Sequence, residues 1–105
     1  MRFVETPIFT KVVTALLDDE SYRHLQSALM RRPEQGATIG GTHGARKVRW
    51  ARPGAGKRGG IRVIYYWAAH EAAFYMLYAY AKNEQGDLTR KQARALAVLI
   101  REEFK

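Results

Sequence analysis

Residues 61–82 read IRVIYYWAAHEAAFYMLYAYAK, and the fold turns on this stretch. Ile61 to Trp67 is dense in β-branched and aromatic residues, which fit a pleated surface, and predicts a strand. Ala68 to Glu71 predicts a turn, and Ala73 to Tyr80 a returning strand. The second strand is apolar at successive positions, which predicts a central place in a sheet covered on both faces. One strand earlier, Arg46-Lys47-Val48-Arg49-Trp50 alternates. Val48 and Trp50 fall on one side, Lys47 and Arg49 on the other.

The flanking segments change period. Arg2 to Glu5 reads as extended, closed by Thr6 as an N-cap and Pro7 as the first helical residue. Ile8, Phe9, Val12, Val13, Leu16 and Leu17 then form a helical stripe. Asp18 caps a second helix, whose first turn carries Asp19 and Glu20. Tyr22, Leu25 and Leu29 mark its buried face, and Arg31, Arg32 and Pro33 end it. Pro33 to Gly44, with four glycines, predicts a loop, and RPGAGKRGG from Arg52 to Gly60 predicts another. After Asn83, Gly86 and Asp87, with Asp87 or Thr89 as cap, Leu96, Leu99 and Ile100 give a last helix running to Phe104. The order β-α-α-β-β-β-α predicts an α+β fold: a small, mostly antiparallel sheet with an N-terminal helical hairpin and a C-terminal helix. At 105 residues, a single domain over 1–105 is expected.

The chain has no cysteine, which excludes a disulfide scaffold, a thiolate metal site and a cysteine nucleophile. Its three histidines are scattered without metal-site spacing, so no metal is called for. No run approaches the ~18 apolar residues of a membrane span and no secretory h-region appears, so a cytoplasmic protein without membrane contact is expected.

Eighteen Lys and Arg stand against ten Asp and Glu, a formal net charge of +8. A surplus of that size on a small domain favours a polyanionic partner. It is also concentrated. Between Glu34 and Glu71 there is no acidic residue, while the window holds Arg46, Lys47, Arg49, Arg52, Lys57, Arg58 and Arg62. Lys47 and Arg49 share a strand face, and Arg62 falls beside them if the register cooperates. Like charges gathered this way repel, which points to a ligand that supplies the negative charge. A solvated basic face is the plainer reading, with Glu84 or Glu102 as neutralising partners. The two glycine-rich loops beside the cations favour phosphate instead, because glycine lets backbone N–H groups approach it closely. His43, in GGTHGARK beside the cationic strand, is a candidate active-site histidine, with a loop histidine of no special role as the plainer reading.

The element order, the segments GGTHGARKVRW and GKRGGIRVIYY, and YAKNEQGDLT before the last helix resemble the RelE superfamily of bacterial toxins. The likeness runs over the whole chain and is greatest to the HigB-type toxins of host-inhibition toxin–antitoxin pairs. The resemblance implies a toxin that cleaves mRNA in the decoding site of the small ribosomal subunit, an endoribonuclease that inhibits translation and needs no cofactor. It implies attack by the RNA 2′-hydroxyl, leaving a 2′,3′-cyclic phosphate and a 5′-hydroxyl, and neutralisation by a HigA-type helix-turn-helix antitoxin. Carried over residue by residue, the catalytic positions fall on Lys47, Arg49, Arg62 and Lys82. Arg46, Arg52, Lys57, Arg58, His43 and Asn83 are the expected RNA contacts. One branch of the family has an arginine after the last lysine and a tyrosine opening the last helix; here those places hold Asn83 and Leu88 or Thr89. A lysine acts as a base near neutrality only where neighbouring cations depress its pKa, so Lys47, Lys57 and Lys82 are the candidates for that role. The alternative function is a non-catalytic basic module that binds RNA or the ribosome. The two readings part at Lys82, which an enzyme must bring to Lys47, Arg49 and Arg62.

Overall fold

The computed structural model describes residues 1–52 and 60–104. Lys57 and Arg58, expected to contact RNA, lie outside the described residues. The chain forms β1 (Arg2–Glu5), α1 (Pro7–Leu16), α2 (Asp19–Arg31), β2 (Ala37–Thr38), β3 (Arg46–Trp50), β4 (Ile61–Ala68), β5 (Ala73–Ala81) and α3 (Arg90–Leu99). A π-helical turn, Ile100–Phe104, prolongs α3. The architecture is the expected α+β fold.

Both hairpin helices start as the sequence indicates. The Thr6 hydroxyl accepts from the Phe9 N–H at 3.0 Å, and the Asp18 carboxylate accepts from the Ser21 N–H at 2.7 Å. Each cap satisfies an N–H that the helix itself leaves unpaired. Thr89, rather than Asp87, caps α3, in a capping box with Gln92.

The sheet order is β1-β5-β4-β3-β2. β1 runs parallel to β5, and the other neighbours are antiparallel. The element order differs from expectation in one place: the Pro33–Gly44 loop contains β2, where Ala37 pairs with Lys47 and Thr38 with Arg46. Two residues are too short to display a period of two, so tertiary pairing alone makes this strand.

β5 lies inside the sheet and is covered on both faces. On one face the hairpin helices bring Phe9, Leu25 and Leu29 onto Val63, Tyr65, Phe74 and Met76, all fully buried. On the other, Leu96 and Ile100 pack with Ile64, Leu77 and Tyr80. Phe104 stacks on Tyr75 at 4.0 Å and Tyr66 at 5.6 Å between ring centroids. A register shift opposite Ile64 and Tyr65 inserts Leu77 as an extra residue in β5, which explains why Leu77 and its neighbour Tyr78 both meet the α3 side. Ile8 departs from its predicted place in the buried stripe. It is half exposed and faces a groove shared with Leu96 and Leu99 of α3, because the other stripe residues already fill the space above the sheet.

Tyr65 fastens the irregular segment that leads to β3. Its hydroxyl donates to Pro33 O at 2.8 Å and accepts from the Gly36 N–H at 3.0 Å. Gly36 is required there, since a Cβ would lie 2.9 Å from the Tyr65 ring and 3.0 Å from Lys47 O. Tyr65→Phe should cost about 1–3 kcal/mol, because it leaves a buried N–H without a partner. Urea unfolding of the two proteins checks this, and an unchanged midpoint would show the hydroxyl to be dispensable.

Candidate active site

Strand register sets the site. Arg49 stands directly across from Arg62, and Lys47 from Ile64. Arg62 in turn faces Tyr80 on β5. Arg49, Arg62 and Tyr80 therefore form a row across three strands, on the face that α3 covers farther along. Just beyond β5, the Lys82 N–H donates to Gly60 O at 3.0 Å, extending the ladder by one residue and keeping Lys82 beside Arg62.

These residues open onto a cleft of about 550 Å³ lined by Arg49, Trp50, Ala51, Gly60, Arg62, Lys82 and Asn83. Three cations contribute to its wall and no carboxylate does. Among the described residues, neither Arg49 nor Arg62 has a salt-bridge partner. Among those residues Arg62 donates only a long bond, 3.4 Å, to the carbonyl of Ile61. Arginines directly across an antiparallel pair repel, and here no acid offsets it. The cleft is thus built to receive negative charge.

Lys47 shares this face but not the cleft wall. Its ammonium pairs with the Asp87 carboxylate at 3.2 Å, while Lys82 donates to Gly86 O at 3.1 Å. The turn between β5 and α3 is thereby tied to two of the expected catalytic lysines. Neither Glu84 nor Glu102 pairs with the cluster; Asp87 does. The Leu88 N–H, donating at 2.8 Å, and then the Lys47 ammonium hold the Asp87 carboxyl below the usual aspartate range. Because the shift is downward, Asp87 stays ionised to lower pH than a free aspartate, and on the acid side the pair is lost as Asp87 takes up a proton.

The other expected contacts are placed differently. Arg46 lies on the opposite face of β3 and donates to Glu34 O at 3.0 Å and Gly36 O at 2.8 Å. It pins the segment before β2 and does not reach the cleft. His43 sits in the turn from β2 to β3, at φ 60°, exposed and at the far end of β3 from the cleft. Arg52 is half-buried two residues past β3 and outside the cleft wall. Asn83 lies on the wall.

Sequence reasoning missed three participants. Trp50, expected on the strand face opposite Lys47 and Arg49, packs partly against the helical-hairpin core and also reaches the cleft rim. Asp87 was legible only as a turn residue or as a cap of the last helix. Tyr80 read as core, and it is 96% buried by its 4% exposure; yet its hydroxyl has no hydrogen-bond partner among the described residues. Burial pushes that phenol's pKa up, the Asp87 carboxylate adds to the rise, and Arg62 opposes it. Among the described residues no group of three or more His, Asp or Glu is arranged to hold a metal, and no helix is long and apolar enough to cross a membrane.

A family model described as the RelE toxin of the RelE / RelB toxin-antitoxin system matches residues 1–104. The chain belongs to the RelE toxin family. Membership makes it the toxin of a toxin–antitoxin pair and gives it an antitoxin as a partner. In this RelE toxin the uncompensated charge lies at the open end of the sheet, where no residue of α3 lines the wall.

The Lys47–Asp87 pair is exposed on the aspartate side, at 70%, so solvent screens it. Asp87→Asn should change stability by less than about 1 kcal/mol at neutral pH, and the difference should vanish as acid protonates the native carboxylate. Urea titrations across the acid range test this; a larger loss would mean that the turn depends on the pair for its folding.

Proposed function

We propose that this RelE toxin is a ribosome-dependent mRNA endonuclease of the HigB type, held in check by a HigA-type helix-turn-helix antitoxin. The observation that carries the reading is the convergence of Arg49, Arg62 and Lys82 on one cleft free of carboxylates. In the proposed reaction the 2′-hydroxyl of the message attacks the adjacent phosphorus, the P–O5′ bond breaks, and a 2′,3′-cyclic phosphate and a 5′-hydroxyl remain. Negative charge grows on the phosphoryl oxygens in the transition state. Fixed guanidinium and ammonium donors stabilise that charge without having to reorganise, which is the largest single contribution in many enzymes. Arg49 and Arg62, fixed by β-ladder pairing, hold the scissile phosphate. Lys82 approaches it from the end of β5, and Lys47 joins from the same sheet face.

The alternative, a basic module that only binds RNA or the ribosome, needs positive charge but no convergence. Charges spread over an exposed surface serve a binder equally well and avoid the repulsion between Arg49 and Arg62. The cleft favours the enzyme.

Arg62→Ala should lower single-turnover cleavage of a defined message on saturated ribosomes by roughly a hundredfold, the usual loss for a transition-state donor. Lys82→Ala should do likewise. Normal cleavage by Arg62→Ala once bound would reduce Arg62 to a docking charge. Free RNA cut as fast as ribosome-bound message would remove the ribosome from the reading.

Arg52, outside the cleft, is assigned to docking on ribosomal RNA. Arg52→Ala should weaken ribosome binding and reduce the slope of log affinity against log salt by about one, with the cleavage rate at saturation unchanged. Titrations at several salt concentrations check it, and a slower chemical step would move Arg52 into the site.

A further inference from the structure

A second concavity lies away from the cleft. A groove of about 610 Å³ runs between the start of α1 and α3, and its lining shares no residue with that of the cleft. Pro7 and Ile8 contribute from α1, Leu96 and Leu99 from α3, and Leu77 and Tyr78 from β5. The Thr6 hydroxyl and the Gln92 amide also line it, and both are engaged within the chain. Thr6 donates to Leu77 O and accepts from the Phe9 N–H, each at 3.0 Å, and Gln92 completes the capping box of α3. The groove therefore offers apolar contact more than hydrogen bonds. Ile8 is 50% exposed along it, and Val98, one turn on from the lining residue Ala95, is 44% exposed. A contiguous open apolar surface of this kind marks a docking site.

Charge says what docks there. Lys91 precedes Ala95 by one turn, Arg94 precedes Val98 by one turn, and Lys11 lies one turn beyond Ile8 on α1, so cations run along both helices beside the groove. All three are exposed, and among the described residues none has a carboxylate partner. Neither α1 nor α3 contains an acid. α3 opens with Arg90 and Lys91, where the helix dipole favours the acids that α2 carries as Asp19 and Glu20. Arg90 and Arg94, four residues apart on one helix, also repel. Cations held against both local preferences are accounted for by a partner that brings carboxylates.

We propose that this groove is where the antitoxin docks, through an amphipathic helix whose apolar side chains fill it and whose Asp and Glu side chains meet Lys11, Lys91 and Arg94. Membership of the RelE toxin family supplies the partner, and a groove with an apolar floor and charged flanks is the surface that such a helix recognises. A nucleic-acid backbone would satisfy the cations but leave Ile8, Val98 and Leu99 uncovered. The inference needs only that the toxin has an antitoxin. It does not depend on the nuclease reading of the cleft or on the type of antitoxin.

The test is the affinity of the full-length toxin for its cognate antitoxin, purified after co-expression and recombined in a calorimeter at low and at high salt. Ile8→Glu and Val98→Glu alter exposed positions on different helices, so the melting temperature of the free toxin should change little. Each should weaken antitoxin binding about tenfold or more, as loss of an apolar anchor does. The double variant Lys91→Glu, Arg94→Glu should weaken it about fivefold or more at low salt, with most of that loss gone at high salt. Wild-type affinity in both Ile8→Glu and Val98→Glu would overturn the proposal. So would a charge-reversed toxin that keeps its antitoxin affinity but binds ribosomes less well, which would give the surface to RNA. A free toxin that sediments as a dimer dissociated by Ile8→Glu, with antitoxin affinity unchanged, would give the groove to a second copy of the chain. Every readout is one of binding, so a failure to cleave message would remove the nuclease reading and leave this test intact.

Discussion

The pairing of β4 with β5, covered on both faces, is the constraint on which the rest depends. A strand pair buried on two sides has no face to offer solvent, so function has to be placed where the covering stops. On the hairpin side, α1 and α2 bury residues from Ile61 through Phe74. On the other side α3 reaches Ile64, Leu77, Tyr66 and Tyr75, and none of its residues lines the cleft. Arg62 and Arg49 emerge on this second face, where the sheet outruns its helix. Their strands fix them as firmly as core residues while their head groups stay accessible, a combination that loops rarely provide.

This placement also explains how the charge is distributed. Away from the cleft, Arg2 pairs with Glu71 at 3.1 Å, and Arg46 is bound by backbone oxygens and by Glu34 at 3.7 Å. Among the described residues, none of Arg49, Arg62 and Lys82 has a carboxylate partner. Screened surface pairs of this kind add little stability, so the difference is not a device for holding the fold together. Its consequence is to leave one region of the surface with an unbalanced field. The two-faced core supplies the stability against which the repulsion between Arg49 and Arg62 is tolerated.

What was legible in the sequence follows from which features have a period. The strands β3, β4 and β5 and the three helices show their repeat over enough residues to be read. The alternation in Arg46-Lys47-Val48-Arg49-Trp50 correctly puts Lys47 and Arg49 on one face, and the same alternation sends Arg46 to the other. Arg46, expected among the RNA contacts, is turned by that alternation to the face opposite the cleft, where its guanidinium binds backbone carbonyls. β2 was illegible because two residues carry no period and its pairing depends on the Tyr65 hydroxyl, about thirty residues away in sequence. Asp87 was illegible as a partner of Lys47 for the same reason. Forty positions separate them, and only closure of the β5–α3 turn over β3 brings the two together.

The bulge at Leu77 links the fold to the site. With one extra residue in β5, the alternation shifts between Met76 and Tyr78, so that Tyr75 meets Phe104 at one end and Tyr80 meets Arg62 at the other, both on the α3 face. Without the inserted residue, one of those two ends would point into the hairpin core, because a one-residue slip turns every following side chain to the opposite face. The same strand can therefore anchor the C-terminal turn through Tyr75 and present Tyr80 and Lys82 to the cleft. Thr6 secures the irregular point: its hydroxyl donates to Leu77 O at 3.0 Å, and its N–H donates to Met76 O at 3.1 Å. The residue that caps the first helix thus also fixes the register from which the cleft-bearing face is counted.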